Sequence, residues 1–239
     1  MTRISRATSN TVSFSPSRAI ETFPHMDLSG GGGGGSTTVT YDVLTSTASP
    51  SSYKDSATFR ATQYYDNTPP TTYDDLQAGN NDYKIGLDYS SWSNRYRFYQ
   101  AYFRFVNVAL TQGATIESAY LKVEFHSGSE RAFRINGFDV DNQAQPSTSN
   151  NGSEGAHSNH TTASVDWTVA TLASGEEVST SPDIKTIVQE IVDRSGWLSG
   201  NALMLGVWLP SSESDDYFRT FNTGKDSNDT KPQLEITYS

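Results

Sequence analysis

The chain contains no cysteine. Disulfide scaffolds, thiolate zinc sites and cysteine nucleophiles are therefore excluded. Basic charge is short as well: 17 Lys and Arg stand against 27 Asp and Glu, a formal net charge of −10. DNA, RNA and anionic lipid head groups all need a basic footprint that this balance does not provide, and acidic polysaccharides are disfavoured as the main ligand. No apolar run approaches the roughly 18 residues of a membrane-spanning helix, so membrane insertion is not expected. The opening MTRISRATSNTVSFSPSRAIETF has basic residues but no continuous apolar stretch of the kind a signal peptide uses. With Met1 as the start, the expectation is synthesis in a cytosol without export by the general secretory route. Apolar residues make up only 34% of the chain, yet there are 13 Tyr and 11 Phe, which suit half-buried strands better than helices.

Six consecutive glycines, Gly30–Gly35, divide the chain and mark residues 30–36 as a flexible hinge. The segment before it, 1–29, holds Val12, Phe14, Ile20, Phe23 and Met26, too few to form a core. Three arginines against Glu21 and Asp27 leave residues 1–36 at +1, so the rest carries −11. The segment reads as an extended docking arm in which Phe14, Ile20, Phe23 and Met26 are anchors that order only against a partner. The plainer alternative is a disordered terminus or a cloning scar.

After the hinge the pattern is strands and loops. Val39, Tyr41 and Val43 alternate in 38–45, and Phe59 and Ala61 in 57–63. In 96–108 Ala101, Phe103 and Phe105 oppose Tyr102, Arg104 and Val106. Ala119, Leu121, Val123 and Phe125 alternate in 116–126, and Phe133, Ile135 and Gly137 in 132–139; 164–169, 202–209, 216–221 and 233–238 complete the set. One segment differs. Ile184, Ile187, Val188, Ile191 and Val192 recur at helical spacing, predicting an amphipathic helix over about 182–194. Ser181 is its expected cap, Pro182 suits its first position, and Gly196 is its expected left-handed stop. A lone helix with one apolar stripe has to cover an end or face of the sheets. The expected fold is all-β: an antiparallel jelly-roll β-sandwich over 37–239.

GATIESAYLKVEF (113–125), INGFDVDN (135–142), TTASVDW (161–167), the helix with GWLSGNALML, and PQLEITY (232–238) occur in this order. Together they resemble β-sandwich domains of the DNRLRE and carbohydrate-binding-module 96 type, found in surface proteins of bacteria and archaea and in virion proteins of tailed phages. The resemblance implies a jelly roll and a non-catalytic role in adhesion, glycan binding or display, and carries over no ligand-binding residue set.

Asp139, Asp141 and Asn142 place side-chain oxygens close together at a strand end and form a calcium candidate, set against solvated loop carboxylates. Asp74, Asp75 and Asp82 crowd an acidic insert, and His157 and His160 sit three apart, though no closed zinc site is expected without further ligands. Tyr64, Tyr65, Tyr73 and Trp92, with Tyr83, Tyr89 and Tyr96 nearby, lie in or beside expected loops and form a candidate glycan platform, set against ordinary strand-edge or interface packing; Trp167, Trp197 and Trp208 read as core. No nucleophile or acid pair is singled out, and neither an enzyme nor a cofactor is expected.

Two functions follow from these readings. The first is a structural protein of a tailed-phage virion, a capsid decoration or fibre-like display module. Its arm would dock on capsid or tail proteins, its body would sit at the virion surface, and it would form a homo-oligomer, a trimer being a common form for such displays. The second is a carbohydrate-binding or adhesion module for neutral host-surface glycans.

Overall fold

The computed structural model describes residues 35–43, 56–64, 75–77, 82–90, 95–144, 159–210, 217–223 and 230–239. The chain divides into two units, Met1–Gly33 and Gly34–Ser239; all the described residues belong to the second. Twelve strands and one helix are present among them: β1 (Thr37–Asp42), β2 (Ser56–Tyr64), β3 (Asp75–Gln77), β4 (Asp82–Ser90), β5 (Arg95–Phe105), β6 (Ile116–Gly128), β7 (Arg131–Phe138), β8 (His160–Val169), β9 (Leu172–Thr180), α1 (Lys185–Val192), β10 (Leu203–Trp208), β11 (Tyr217–Asn222) and β12 (Gln233–Tyr238).

All the strand pairs are antiparallel, and they nest. β1 pairs β12, β4 pairs β11, β5 pairs β10, β6 pairs β9 and β7 pairs β8. With β2 and β3 as an inserted hairpin, this is a long antiparallel ribbon folded over on itself, the jelly-roll pairing. Further pairs weld the ribbon into two layers. β8, β7, β10, β5 and β2 form one layer, and β9, β6, β12 and β1 form the other. β4 and β11 bridge the layers along one side.

The layers meet through aromatic side chains. Phe125 of β6 lies 5.4 Å, ring to ring, from Trp167 of β8, and Phe103 of β5 lies 5.3 Å from Phe221 of β11. Alternation along β6 puts Ala119, Leu121, Val123 and Phe125 in the core, as expected. β10 is buried on both faces. Leu203, Leu205 and Val207 point between the layers, while Trp208 on the other face stacks on His160, which meets Phe138 edge-on. Trp167, Trp197 and Trp208 are all buried.

The helix closes one end of the sandwich. Ile184, Ile187, Val188, Ile191 and Val192 are fully buried. Gly137 makes room for them, since a Cβ there would stand 2.6 Å from Ile191 Cδ1 and 2.8 Å from Ile187 Cγ2. Two expected helix signals act differently. Ser181 does not cap α1: its Oγ accepts from Leu121 N and donates to Pro182 O. Asp183 takes over, accepting from Lys185 N at 2.9 Å and from Ala119 N at 3.0 Å, so the helix start is stitched to β6. Gly196 is not left-handed; positive φ falls on Gly200. Gly196 is needed for close approach, because a Cβ would lie 2.0 Å from Asp141 Oδ2.

Some strand limits also move. The strand expected to run to Val108 ends at Phe105, just before Asn107, whose φ is +55°. β4 and β9 arise where loops were expected, so Tyr83 and Tyr89 belong to a strand, as does Tyr96.

Candidate functional site

The end of the sandwich away from α1 is built around a buried cation. Tyr217, Arg219 and Phe221 share one face of β11 by simple alternation, which drives Arg219 into the interior, where it is 1% exposed. Among the described residues it has no carboxylate partner. Nη1 donates to the carbonyls of Gly128, Ser129 and Ala170 at 2.9–3.0 Å, and Nη2 donates to that of His126. The guanidinium lies 5.7 Å from the Phe125 ring centre, and Nε is buried with no acceptor among the described residues. Four main-chain dipoles thus replace a counter-ion and fix the β6–β7 turn and the β8–β9 link to each other. Burial, and secondly the charge of Arg131, pull its pKa below the ordinary guanidinium value.

Two cavities flank this arginine. One, of about 190 Å³, lies against β9 and has walls from Phe125, Val169, Leu172 and Val178. The other is a cleft of about 470 Å³, lined by Asp88, Tyr89, Gly128, Arg131, Phe218 and Arg219 among others. Tyr89 of β4 and Phe218 of β11 supply its aromatic lining, and Tyr96 of β5, the register partner of Tyr89, stands behind it with ring centres 4.8 Å apart. Arg131 lies over Tyr217 at 4.6 Å, and the Tyr217 hydroxyl accepts from Ala132 N. Lys84 lies over Phe218 at 4.2 Å and pairs with Asp88 at 2.9 Å. Flat aromatic faces beside charged hydrogen-bonding groups suit a polar ligand with an apolar face.

A polar knot supports the same end. Asn222 Nδ2 donates to Glu124 at 2.8 Å and to Glu176 at 3.0 Å, and Thr230 donates to Glu124 through N and Oγ1. Both Asn222 amide protons are spent on glutamates, so Oδ1 must accept and His126 Nε2 carries the proton between them, at 2.6 Å. Burial alone would raise the Glu124 carboxyl; the bonds from Asn222 and Thr230, with nearby His126, outweigh it and hold the pKa below its ordinary value.

The residues singled out from sequence fall unevenly. Asp139 and Asp141 both bond to Arg194, and Asp141 does so at 2.7 Å. Their hydrogen bonds, Asp139 first, raise the Arg194 pKa. Asn142 Oδ1 accepts from Ala202 N at 2.8 Å. The run therefore ties the end of β7 to the segments before β10, and among the described residues no three His, Asp or Glu side chains converge as a metal set. His160 is engaged in the Trp208 stack, and His157 lies outside the described residues. Of the expected platform, Tyr64 is the backbone register partner of Tyr96; Tyr65, Tyr73 and Trp92 lie outside the described residues, as do the arm residues Phe14, Ile20, Phe23 and Met26. Of the wider aromatic group Tyr89 lines the cleft, with the Tyr96 ring tilted against it. Arg219, Arg131, Asp88 and Asn222 were not singled out. The one available signal was an arginine at an inward position of the alternating YFRTFN.

No protein-family model matches the chain, and a comparison with curated proteins finds no match either. The site is read from its own geometry.

Proposed function

We propose that the sandwich is a non-catalytic recognition module whose cleft binds a carbohydrate. One observation carries the reading: Tyr89 and Phe218 share a cleft of about 470 Å³ with Asp88 and Arg131. A sugar ring offers an apolar C–H face and a rim of hydroxyls, and these groups match both. Support for a non-catalytic role comes from the nearby carboxylates. Glu124 and Glu176 share the Asn222 amide, and Glu124 is held ionised, whereas an acid–base pair needs one carboxyl raised. The resemblance to carbohydrate-binding sandwiches points the same way. Tyr89→Ala is expected to lower glycan affinity about tenfold with little change in melting temperature, measured by calorimetry on ligands from a glycan array. Wild-type affinity in that variant would remove the cleft from consideration.

A second reading concerns where the module is carried. The six-glycine run beside a near-neutral arm with four spaced apolar anchors favours a virion structural protein, docked by Phe14, Ile20, Phe23 and Met26 on a capsid or tail protein, with the −11 body held clear of the surface. The two readings are compatible, the cleft then facing a host-surface glycan from the virion. Deleting residues 1–29 is expected to leave a cooperatively melting sandwich that no longer incorporates into particles, scored by electron microscopy. Full incorporation of the truncated protein would place docking on the sandwich instead.

A further inference from the structure

β9 is an edge strand. Among the described residues it pairs with β6 alone, and residues 173–178 are exposed. In an antiparallel ladder alternate residues turn their N–H and C=O groups away from the partner strand, so β9 offers a row of main-chain donors and acceptors on its far side. The register with β6 sorts its side chains. Glu176 and Val178 stand opposite His126 and Glu124, on the outer face of the layer, while Glu177 and Ser179 stand opposite Phe125 and Val123, on the face turned to the core. The cavity of about 190 Å³ reaches this edge, lined by Leu172, Glu177, Val178 and Ser179 of β9 together with Phe125 and Val169. Val178 is also 41% exposed, a large apolar side chain left at the surface. Glu176 accepts from Asn222, whereas Glu177 has no partner among the described residues.

We infer that β9 is the docking edge for an extended segment of a partner protein, which adds to it as a further strand, places an apolar side chain in the cavity and sets a Lys or Arg beside Glu177. Main-chain bonds along the edge supply the affinity, and the cavity and the glutamate supply the selectivity. Charge decides which strand enters. A second copy of β9 would bring its own Glu176 and Glu177 to this stretch, and like charges opposite one another weaken a strand pair. A basic segment is drawn to it instead, the more so because the chain beyond residue 36 carries −11. An edge guarded only against pairing would carry lysine or proline; β9 has neither and presents an apolar socket. The inference stands apart from the carbohydrate reading, since no β9 residue lies among the described lining of the cleft.

The test uses the full-length protein and three end-capped peptides of nine residues. The first is threonine throughout except for a central valine and a lysine two positions to either side, which puts all three on one face of a strand. The second has glutamate for each lysine. The third is the first with N-methyl groups on the valine and the residue after it, removing a donor toward β9 whichever way the strand lies. By calorimetry the lysine peptide is expected to bind about tenfold tighter than the glutamate peptide, with the advantage shrinking as salt rises. N-methylation should abolish binding, and hydrogen exchange should slow at residues 173–178. Glu177→Lys, an exposed change, should keep the melting temperature and reverse the order of the two charged peptides. Equal affinity for both charges would overturn the choice of a basic partner. An N-methylated peptide that binds like its parent, or protection that appears away from β9, would overturn strand addition. Self-association of the wild type in sedimentation, with protection at β9, would give the edge to a second copy and overturn the inference, as would failure of every peptide to bind.

Discussion

At one end of the sandwich α1 fills the gap between the layers with Ile184, Ile187, Val188 and Ile191, and the charge of Arg194 there is met by Asp139 and Asp141. At the other end Arg219 sits about as deep with carbonyl partners among the described residues, and cavities open on both sides of it. The helix end also spends its polar side chains on free strand groups. Glu190 accepts from Thr162 N and Ala163 N on β8, which has only β7 as a paired strand among the described residues, and Gln189 serves Ile116 N and Ala114 O. The arginine end uses Arg219 to tie the β6–β7 turn to the β8–β9 link, with a cavity on either side of the guanidinium. One end is arranged to stay shut and the other to keep a cleft, and the same fold needs both.

The sharpest way to break the contrast is to bury an unpaired charge at the closed end. Ile187→Asp puts a carboxylate where the side chain is fully buried against Gly137, and is expected to cost about 4 kcal/mol, read from urea unfolding. An unchanged midpoint would mean that the stripe yields to water and that this end is not sealed. The converse change removes the charge from the open end. Arg219→Met keeps the bulk but strands the carbonyls of His126, Gly128, Ser129 and Ala170, with an expected loss of about 2 kcal/mol, because water reaches some of them. Its larger signature is loss of ligand binding in the cleft, which Ile187→Asp should spare under conditions where that variant is folded.

The smallest effect sharpens the comparison through pH. The Glu124 carboxyl has its pKa lowered in the folded state. Its contribution is therefore fully present above the unfolded carboxylate range, near pH ~4.3, and is lost as pH falls through the lower folded value. The melting temperature of wild type should accordingly fall more steeply than that of Glu124→Gln as pH drops from about 5 to 3. Parallel curves would show that the Asn222 and Thr230 bonds to Glu124 do not favour its ionised form.

The amount of this that was legible in the sequence depends on whether a segment advertises its burial. β6, β10, β12 and the stripe of α1 carry regular apolar spacing, and they fold as read. β4 alternates Tyr83, Ile85, Leu87 and Tyr89, but with Gly86 at its centre and charged residues between. Gly86, at φ +118°, allows Tyr217 O to approach within 2.2 Å of where a Cβ would sit, so pairing with β11 makes the strand and local propensity does not. β9 is exposed along most of its length and has no apolar face to announce it; its place is set by the ladder to β6. The candidate site was legible only in part. Tyr89 and Tyr96 were noticed as aromatics in or beside loops, Tyr96 at the start of an expected strand, and Arg131 and Arg219 of the cleft were not noticed at all.

The sequence by itself determined the class of structure: strand alternation, one helical stripe, no cysteine and an acidic surface leave little besides an all-β sandwich with one helix against it. Which charges meet was decided only by tertiary structure. Arg194 and Asp139, or Arg219 and the carbonyl of Ala170, are about 50 residues apart in the chain and in contact in the fold. A neutralised strand-end cluster and a buried cation without a counter-ion look alike as local sequence. Their difference is one of distance and dielectric, and those quantities exist only once the two layers have closed on each other.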